Sequence, residues 1–183
     1  MPQTRTVTYE EWLTMPEVQD ATEEVVNGEI RVMPPAKLIH ALIIDSLYYA
    51  IVTQIDRSKV RVLASSAGLV VRKHPLTSRV PDIAIFDLST MVEADGYVHS
   101  APQLIVEVLS PANTRRDRAG ELADYAALGV PEVWVVSPEA RTVEVLRLSG
   151  TDYARAAIVA SGDTLRPTLF PSVQVEISGI WPD

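Results

Sequence analysis

Two acids sit where the chain is otherwise written for burial. Asp82 interrupts Val80-Pro81-Asp82-Ile83-Ala84-Ile85, and Glu107 interrupts Leu104-Ile105-Val106-Glu107-Val108-Leu109. A carboxylate inside an apolar strand is costly unless it is paired or coordinates a metal. Two of them on neighbouring strands repel and raise each other's pKa, unless a divalent cation lies between them. Hard cations such as Mg²⁺ or Mn²⁺ take oxygen ligands, commonly one or two carboxylates together with substrate phosphate. The chemistry this pattern suggests is the binding of a divalent cation between paired carboxylates. The competing reading is an ion pair at the mouth of a strand, with Arg79 as the partner of Asp82.

The elements that must position these acids can be read from periodicity. The last two of three β-rich runs, Val60 to Val71, Val80 to Phe86 and Leu104 to Leu109, are nearly continuously apolar, as in strands covered on both faces. Thr114 to Leu128 reads as a helix, with Thr114 and Asp117 as a capping box and Gly129 just past its end. Val133 to Val136 follows as a buried strand, so the helix makes a crossover between two strands of one sheet. Upstream, Ala36 to about Arg57 keeps helical spacing through Leu38, Ala41, Leu42, Ile44, Leu47, Tyr48, Ile51 and Ile55. Before it, Asn27-Gly28 joins Glu24-Val25-Val26 to Glu29-Ile30-Arg31-Val32 as a hairpin. Thr8 and Glu11 open a short helix as a capping box. Downstream, Thr142 to Leu148 and Tyr153 to Val159 form an antiparallel pair turned at Ser149-Gly150, and Val173 to Ile177 is a final strand. Ser89 to Pro102 reads as a loop. The expected fold class is α/β, with a mixed α+β sheet carrying helices.

Composition sets the limits. A chain of 183 residues fits one domain, expected over 1–183, and 47% apolar with 22% charged residues describes an ordinary globule. The absence of cysteine excludes a disulfide scaffold, a thiolate zinc site and a cysteine nucleophile. The net charge of −8 excludes a clamp that grips DNA by overall basicity, though a local Arg cluster or a bound cation can invert the field at one site. No signal peptide is visible and no apolar stretch is long enough for a bilayer, so the expected location is cytoplasmic, without a membrane partner.

The order and spacing of several segments then carry a resemblance. They are Glu24-Val25-Val26-Asn27-Gly28-Glu29, Pro35 to His40, Val80-Pro81-Asp82, Ile105 to Pro111, and Asp117 through Tyr125-Ala126-Ala127-Leu128-Gly129-Val130-Pro131-Glu132-Val133-Trp134. Over Thr8 to Asp183 the chain resembles the Uma-two family of restriction-endonuclease-like proteins, within the PD-(D/E)XK nuclease superfamily. The resemblance implies a core of α-β-β-β-α-β order with an N-terminal hairpin and extra C-terminal strands. It implies a DNA endonuclease whose Asp82, Glu107 and Val108 carbonyl hold Mg²⁺ or Mn²⁺, with Glu24 as a further acid. The superfamily lysine belongs two residues after the second acid, where this chain has Leu109. The family's alternative position, four residues before the tyrosine, holds Glu121, and none of the three lysines (Lys37, Lys59, Lys73) matches. The implied activity is therefore impaired, and the alternative is an inactive nuclease-fold protein serving as a metal- or nucleic-acid-binding or dimeric interaction module.

Other residues carry weaker signals. Arg115, Arg116 and Arg118 form the densest basic patch, at the first turn of the second long helix, and are the expected DNA-backbone contacts. Arg118 is also a stand-in for the lysine, about 60° around the helix from Glu121. His40 matches a family histidine; without cysteine or a second nearby histidine, packing or hydrogen bonding is favoured over zinc. Ser65 lacks the Gly-x-Ser-x-Gly setting of a nucleophile. Tyr125 and Trp134 read as aromatics packing helix on sheet. A homodimer is expected, since two-fold DNA sites pair with two-fold proteins.

Overall fold

The computed structural model describes residues 6–16, 18, 21–33, 35–65, 67–110 and 115–182. Along the chain run α1 (Tyr9–Leu13), β1 (Thr22–Val26), β2 (Glu29–Met33), α2 (Leu38–Val52), β3 (Val60–Ala64), β4 (Leu69–Lys73), β5 (Leu76–Arg79) and β6 (Ile83–Asp87). Then come β7 (Glu93–Ala94), β8 (Tyr97–Val98), β9 (Leu104–Val108), α3 (Arg115–Leu128), β10 (Glu132–Ser137), β11 (Thr142–Ser149), β12 (Asp152–Ala160), β13 (Thr164–Leu165) and β14 (Val175–Glu176), ending in a 3-10 turn at Ile177–Ile180.

The strands divide between two mixed six-stranded sheets. The central sheet has the order β12-β11-β10-β9-β6-β3 and the second β2-β1-β5-β4-β8-β7. Within the central sheet, β6 lies antiparallel to both β3 and β9, and α3 crosses over to β10, which lies parallel to β9 with Val133 opposite Ile105. The core order α2-β3-β6-β9-α3-β10 is the expected α-β-β-β-α-β.

The strand alternation splits the core into layers. Ile83, Ile85, Leu104, Val106 and Val108 join Ile43, Ile44, Leu47 and Ile51 of α2 on one face. Ala84, Phe86, Ile105, Val133 and Val135 face Tyr125 and Val130 on the other. A third cluster, Tyr9, Trp12, Val25, Val70 and Leu76, lies between α1 and the second sheet. Helix α3 touches both β4 and β12, so it stands where the two sheets meet.

Local expectations are met at several points. The Thr8–Glu11 capping box is complete. The hairpin turns on Asn27 and Gly28 with φ of 53° and 82°, the pair of positive angles that a type I′ turn requires. Gly129, φ 88°, stops α3: its N–H and that of Val130 both donate to the Tyr125 carbonyl, closing the last turn.

Four expectations need correction. Val60 to Val71 is not one run but β3 and β4 in different sheets. The chain breaks at Ser65, φ 42°, whose N–H donates to the Asp82 carbonyl at 2.9 Å. The N-terminal hairpin therefore belongs to a second sheet that includes β5, which composition does not mark as a strand. The Ser89 to Pro102 loop contains the small hairpin β7–β8, turned at Asp95-Gly96. Helix α2 is shorter than the apolar spacing suggests, because Thr53 caps it. The final strand reduces to Val175 and Glu176, followed by the 3-10 turn. The expected N-cap Thr114 lies outside the described residues. Among the described residues no helix is long and apolar enough to cross a membrane.

Candidate active site

The antiparallel register of β6 and β9, with Ile83 opposite Val106, carries Asp82 to the position opposite Glu107. Opposed residues of an antiparallel pair share a face. Here it is the face on which Ala84 and Ile105 meet α3, so both acids point toward the crossover helix. The strand ends are tied together: the Val108 N–H donates to Asp82 Oδ2 at 2.7 Å. From the opposite side of the sheet, His40 on α2 reaches the same point. Its Nε2 lies 2.9 Å from the Val108 carbonyl and 3.2 Å from Asp82 Oδ2, while its buried Nδ1 has no partner among the described residues. That arrangement places the ring proton on Nε2 and leaves only a lone pair orphaned. The Asp82 contact raises the His40 pKa above its ordinary value, against the opposing effect of burial.

Glu107 is held by the Tyr125 hydroxyl, which donates to its Oε1 at 2.5 Å. Burial pushes the Glu107 carboxyl well above the usual range, and Asp82, Glu121 and Glu24 push it further. Glu121, on the same helix as Tyr125, is raised to about 7, first by burial; Arg79 opposes the rise, while Glu24, Asp117 and Asp82 add to it. The structure thus brings Asp82, Glu107, Glu24 and Glu121 into one electrostatic neighbourhood.

Glu24 is the most constrained of the four. Its Oε1 accepts the Val80 N–H at 3.0 Å and its Oε2 accepts Arg79 Nη1 at 2.9 Å. Arg79 accordingly pairs with Glu24 and Asp124, not with Asp82. Leu109, where the resemblance leads one to expect a lysine, packs against the α3-side core.

The basic patch is divided. Arg115 and Arg116 are exposed at the start of α3, whereas Arg118 is bonded to Glu144 on β11, which Arg155 also approaches at 3.5 Å. Sequence reasoning misses Asp124 and gives Tyr125 a packing role alone. The position of Asp124 beside Tyr125 is a weak signal, since nothing in local spacing links it to Arg79.

Whether these residues suit a divalent ion can be judged from their donors. Asp82, Glu107 and the Val108 carbonyl are all hard oxygens, and the charged groups that raise Glu107 are all anionic. Among the described residues, no three His, Asp or Glu side chains gather into a ready-made cage. The donor set is two carboxylates and a main-chain oxygen, which fits a cation that keeps water and takes substrate oxygens to complete its shell.

A helix, three antiparallel strands, a crossover helix and a parallel strand, with acids opposed where β6 meets β9, define a nuclease-type α+β fold. A solved structure shares it: a putative nuclease belonging to DUF820 from Anabaena variabilis ATCC 29413, 21% identical, has a TM-score of 0.76 over 95% of this chain and 97% of that one. No curated protein matches the chain. The chain belongs to the Uma2 (Uma-two) family, described as putative restriction endonuclease, whose model matches residues 8–178.

Proposed function

We propose that this protein is a divalent-metal-dependent DNA endonuclease, with Asp82, Glu107 and the Val108 carbonyl holding Mg²⁺ or Mn²⁺. The observation that carries this is the pair of opposed carboxylates on one sheet face, where the charged neighbours that raise Glu107 are themselves acids. When bound, the ion polarises the scissile phosphate and offsets charge on the leaving oxygen. The chain's own residues do the rest. Tyr125 holds one Glu107 oxygen, and the Val108 N–H together with His40 holds Asp82 Oδ2. Glu24 fixes the Val80 peptide just before Asp82. Arg115 and Arg116, exposed at a helix start that follows β9, supply backbone phosphate contacts. A DNA substrate agrees with a cytoplasmic location, and a two-fold site would suit a homodimer.

Glu121 and Leu109 favour a second reading, a nuclease-fold protein that binds metal or nucleic acid, or serves as a dimeric interaction module, with little or no cleavage. A carboxylate where the family carries lysine has the wrong sign to stabilise charge developing on phosphate. Plasmid cleavage in 1–10 mM Mg²⁺ or Mn²⁺ (about the range a one- or two-carboxylate site needs) tests both, with Asp82→Ala as control. Metal-dependent nicking lost in Asp82→Ala supports the endonuclease. Binding without nicking supports the second reading.

A further inference from the structure

Arg79 ends β5, three residues before Asp82, and is only 3% exposed. Its guanidinium serves carboxylates from two different elements. Nη1 donates to Glu24 Oε2 on β1 at 2.9 Å, and Nε and Nη2 donate to Asp124 Oδ2 on α3 at 3.0 and 2.7 Å. The other oxygen of each acid is also used: Glu24 Oε1 accepts the Val80 N–H, and Asp124 Oδ1 accepts Arg72 Nη1 at 3.1 Å. Arg72 in turn donates to Asn27 Oδ1 at 2.6 Å. Gly120, one turn before Asp124, lies beside the guanidinium, where a Cβ would make only ordinary contact with Nη2 at 3.9 Å. A buried ion network survives desolvation only when its members are well satisfied, and a planar fork is the group that can join two carboxylates at once.

The two arms of this fork lead to the two acids of the proposed metal site. Through Glu24, Arg79 fixes the Val80 peptide, and with it the short segment that delivers Asp82. Through Asp124 it fixes α3, where the next residue is Tyr125, whose hydroxyl holds Glu107. Glu121 lies three residues before Asp124 on the same helix, and the charge of Arg79 acts on it. We propose that Arg79 is the positioning residue of the site, setting Asp82 and Glu107 relative to each other by clamping β1, β5 and α3 together without touching substrate. The proposal rests on the metal-dependent reading above. It assigns to a residue outside the metal site the rigidity that the site needs.

The test is Mn²⁺ affinity by calorimetry on the full chain, well below the melting temperature, for wild type, Arg79→Lys and Asp124→Asn. Circular dichroism checks that each is folded. An ammonium cannot span both carboxylates, so folded Arg79→Lys should bind Mn²⁺ about 10- to 100-fold more weakly, the usual cost of losing a group that orients metal ligands. Asp124→Asn removes the charge of the helix arm and turns an amide NH2 toward Arg79 or Arg72, both donors, so it should weaken binding in the same direction, which keeps the test decisive if Arg79→Lys does not fold. A folded variant that melts earlier yet binds Mn²⁺ like wild type makes Arg79 a stability element and overturns the proposal. So does failure of both variants to fold. Absence of Mn²⁺ binding by wild type instead removes the metal-dependent reading itself, and the positioning role with it.

Discussion

The Val108 N–H donates to Asp82 Oδ2 over 2.7 Å, so the residue after Glu107 in the chain holds the acid on the neighbouring strand. The bond draws the two carboxylates to the same end of the sheet, and Asp82 is one of the charges that raise Glu107. Asp82→Asn keeps an oxygen acceptor for that N–H and removes one charge from beside Glu107. Metal-free stability should hold or rise, by up to about 1 kcal/mol for a relieved partly buried repulsion. Stabilisation by Mn²⁺, about 2.7 kcal/mol for an ion at a hundred times its Kd, should largely vanish. Thermal melts with and without Mn²⁺ read both effects, and an undiminished metal response would take Asp82 out of the site.

Tyr125 separates a packing role from a polar one. If it only fills space, Tyr125→Phe is nearly neutral. Because its hydroxyl donates to a part-buried Glu107 oxygen, the variant should instead lose about 1 kcal/mol or more, toward the cost of leaving an acceptor unsatisfied. Urea denaturation measures this, and an unchanged midpoint would return Tyr125 to the packing role read from sequence.

Those two side chains show where the sequence is legible. The two acids stand out because each breaks a short apolar run, and the strand period places both on one face. The hairpin, the crossover and the first capping box follow from local chemistry alone. The second sheet does not: the small residues Ala64 to Gly68 interrupt the β-rich stretch Val60 to Val71, but where the chain turns depends on Ser65 bonding to the Asp82 carbonyl, seventeen residues away. Arg79 and Asp124 are 45 residues apart, and a pairing across that distance leaves no spacing to read. By sequence Arg118 is equivalent to Arg115 and Arg116; only the fold sets Glu144 beside it.

That division of the arginines predicts unequal effects on DNA binding. Arg115→Ala with Arg116→Ala should lower affinity and flatten its salt dependence, by about 0.9 in log–log slope for each phosphate no longer neutralised. Arg118→Ala should leave the slope unchanged and reduce stability instead, because it frees Glu144. Fluorescence anisotropy with a short duplex at several salt concentrations distinguishes them; a slope change confined to Arg118→Ala would reverse the assignment.

The acid cluster also fixes the sign of the pH response. Glu121 is raised from 4.5 to about 7 in the fold, so over that window the native state holds a proton that the unfolded chain has lost. The stabilisation is complete below about pH 4.5 and disappears as pH climbs through 7. Glu107, raised by burial, and His40, raised by Asp82, have the same sign. Metal-free protein should therefore be more stable at pH 6 than at pH 8, and Glu121→Gln should flatten the slope between pH 5 and 7. Urea midpoints in the presence of chelator provide the check, and a slope unaffected by Glu121→Gln would place that side chain in solvent.

Glu121 also gives the most direct test of chemistry. It stands where the resemblance leads one to expect a lysine, and the acids acting on it are Glu24, Asp117 and Asp82. A lysine would enter that setting as a counter-charge to those three acids, against repulsion from Arg79, which acts at the same position. Glu121→Lys should thus raise Mg²⁺-dependent plasmid cleavage by at least about 10-fold, a modest part of the 10²–10³ that one well-placed charge-stabilising group contributes. Glu121→Lys combined with Asp82→Ala should stay inactive, which ties any gain to the metal site and not to a contaminant. If wild type already cuts efficiently and Glu121→Lys changes nothing, another cation supplies the charge. Arg118→Ala then decides whether it is that arginine: its bond to Glu144 predicts no loss of cleavage, and a large loss would mean that Arg118 leaves Glu144 when substrate binds.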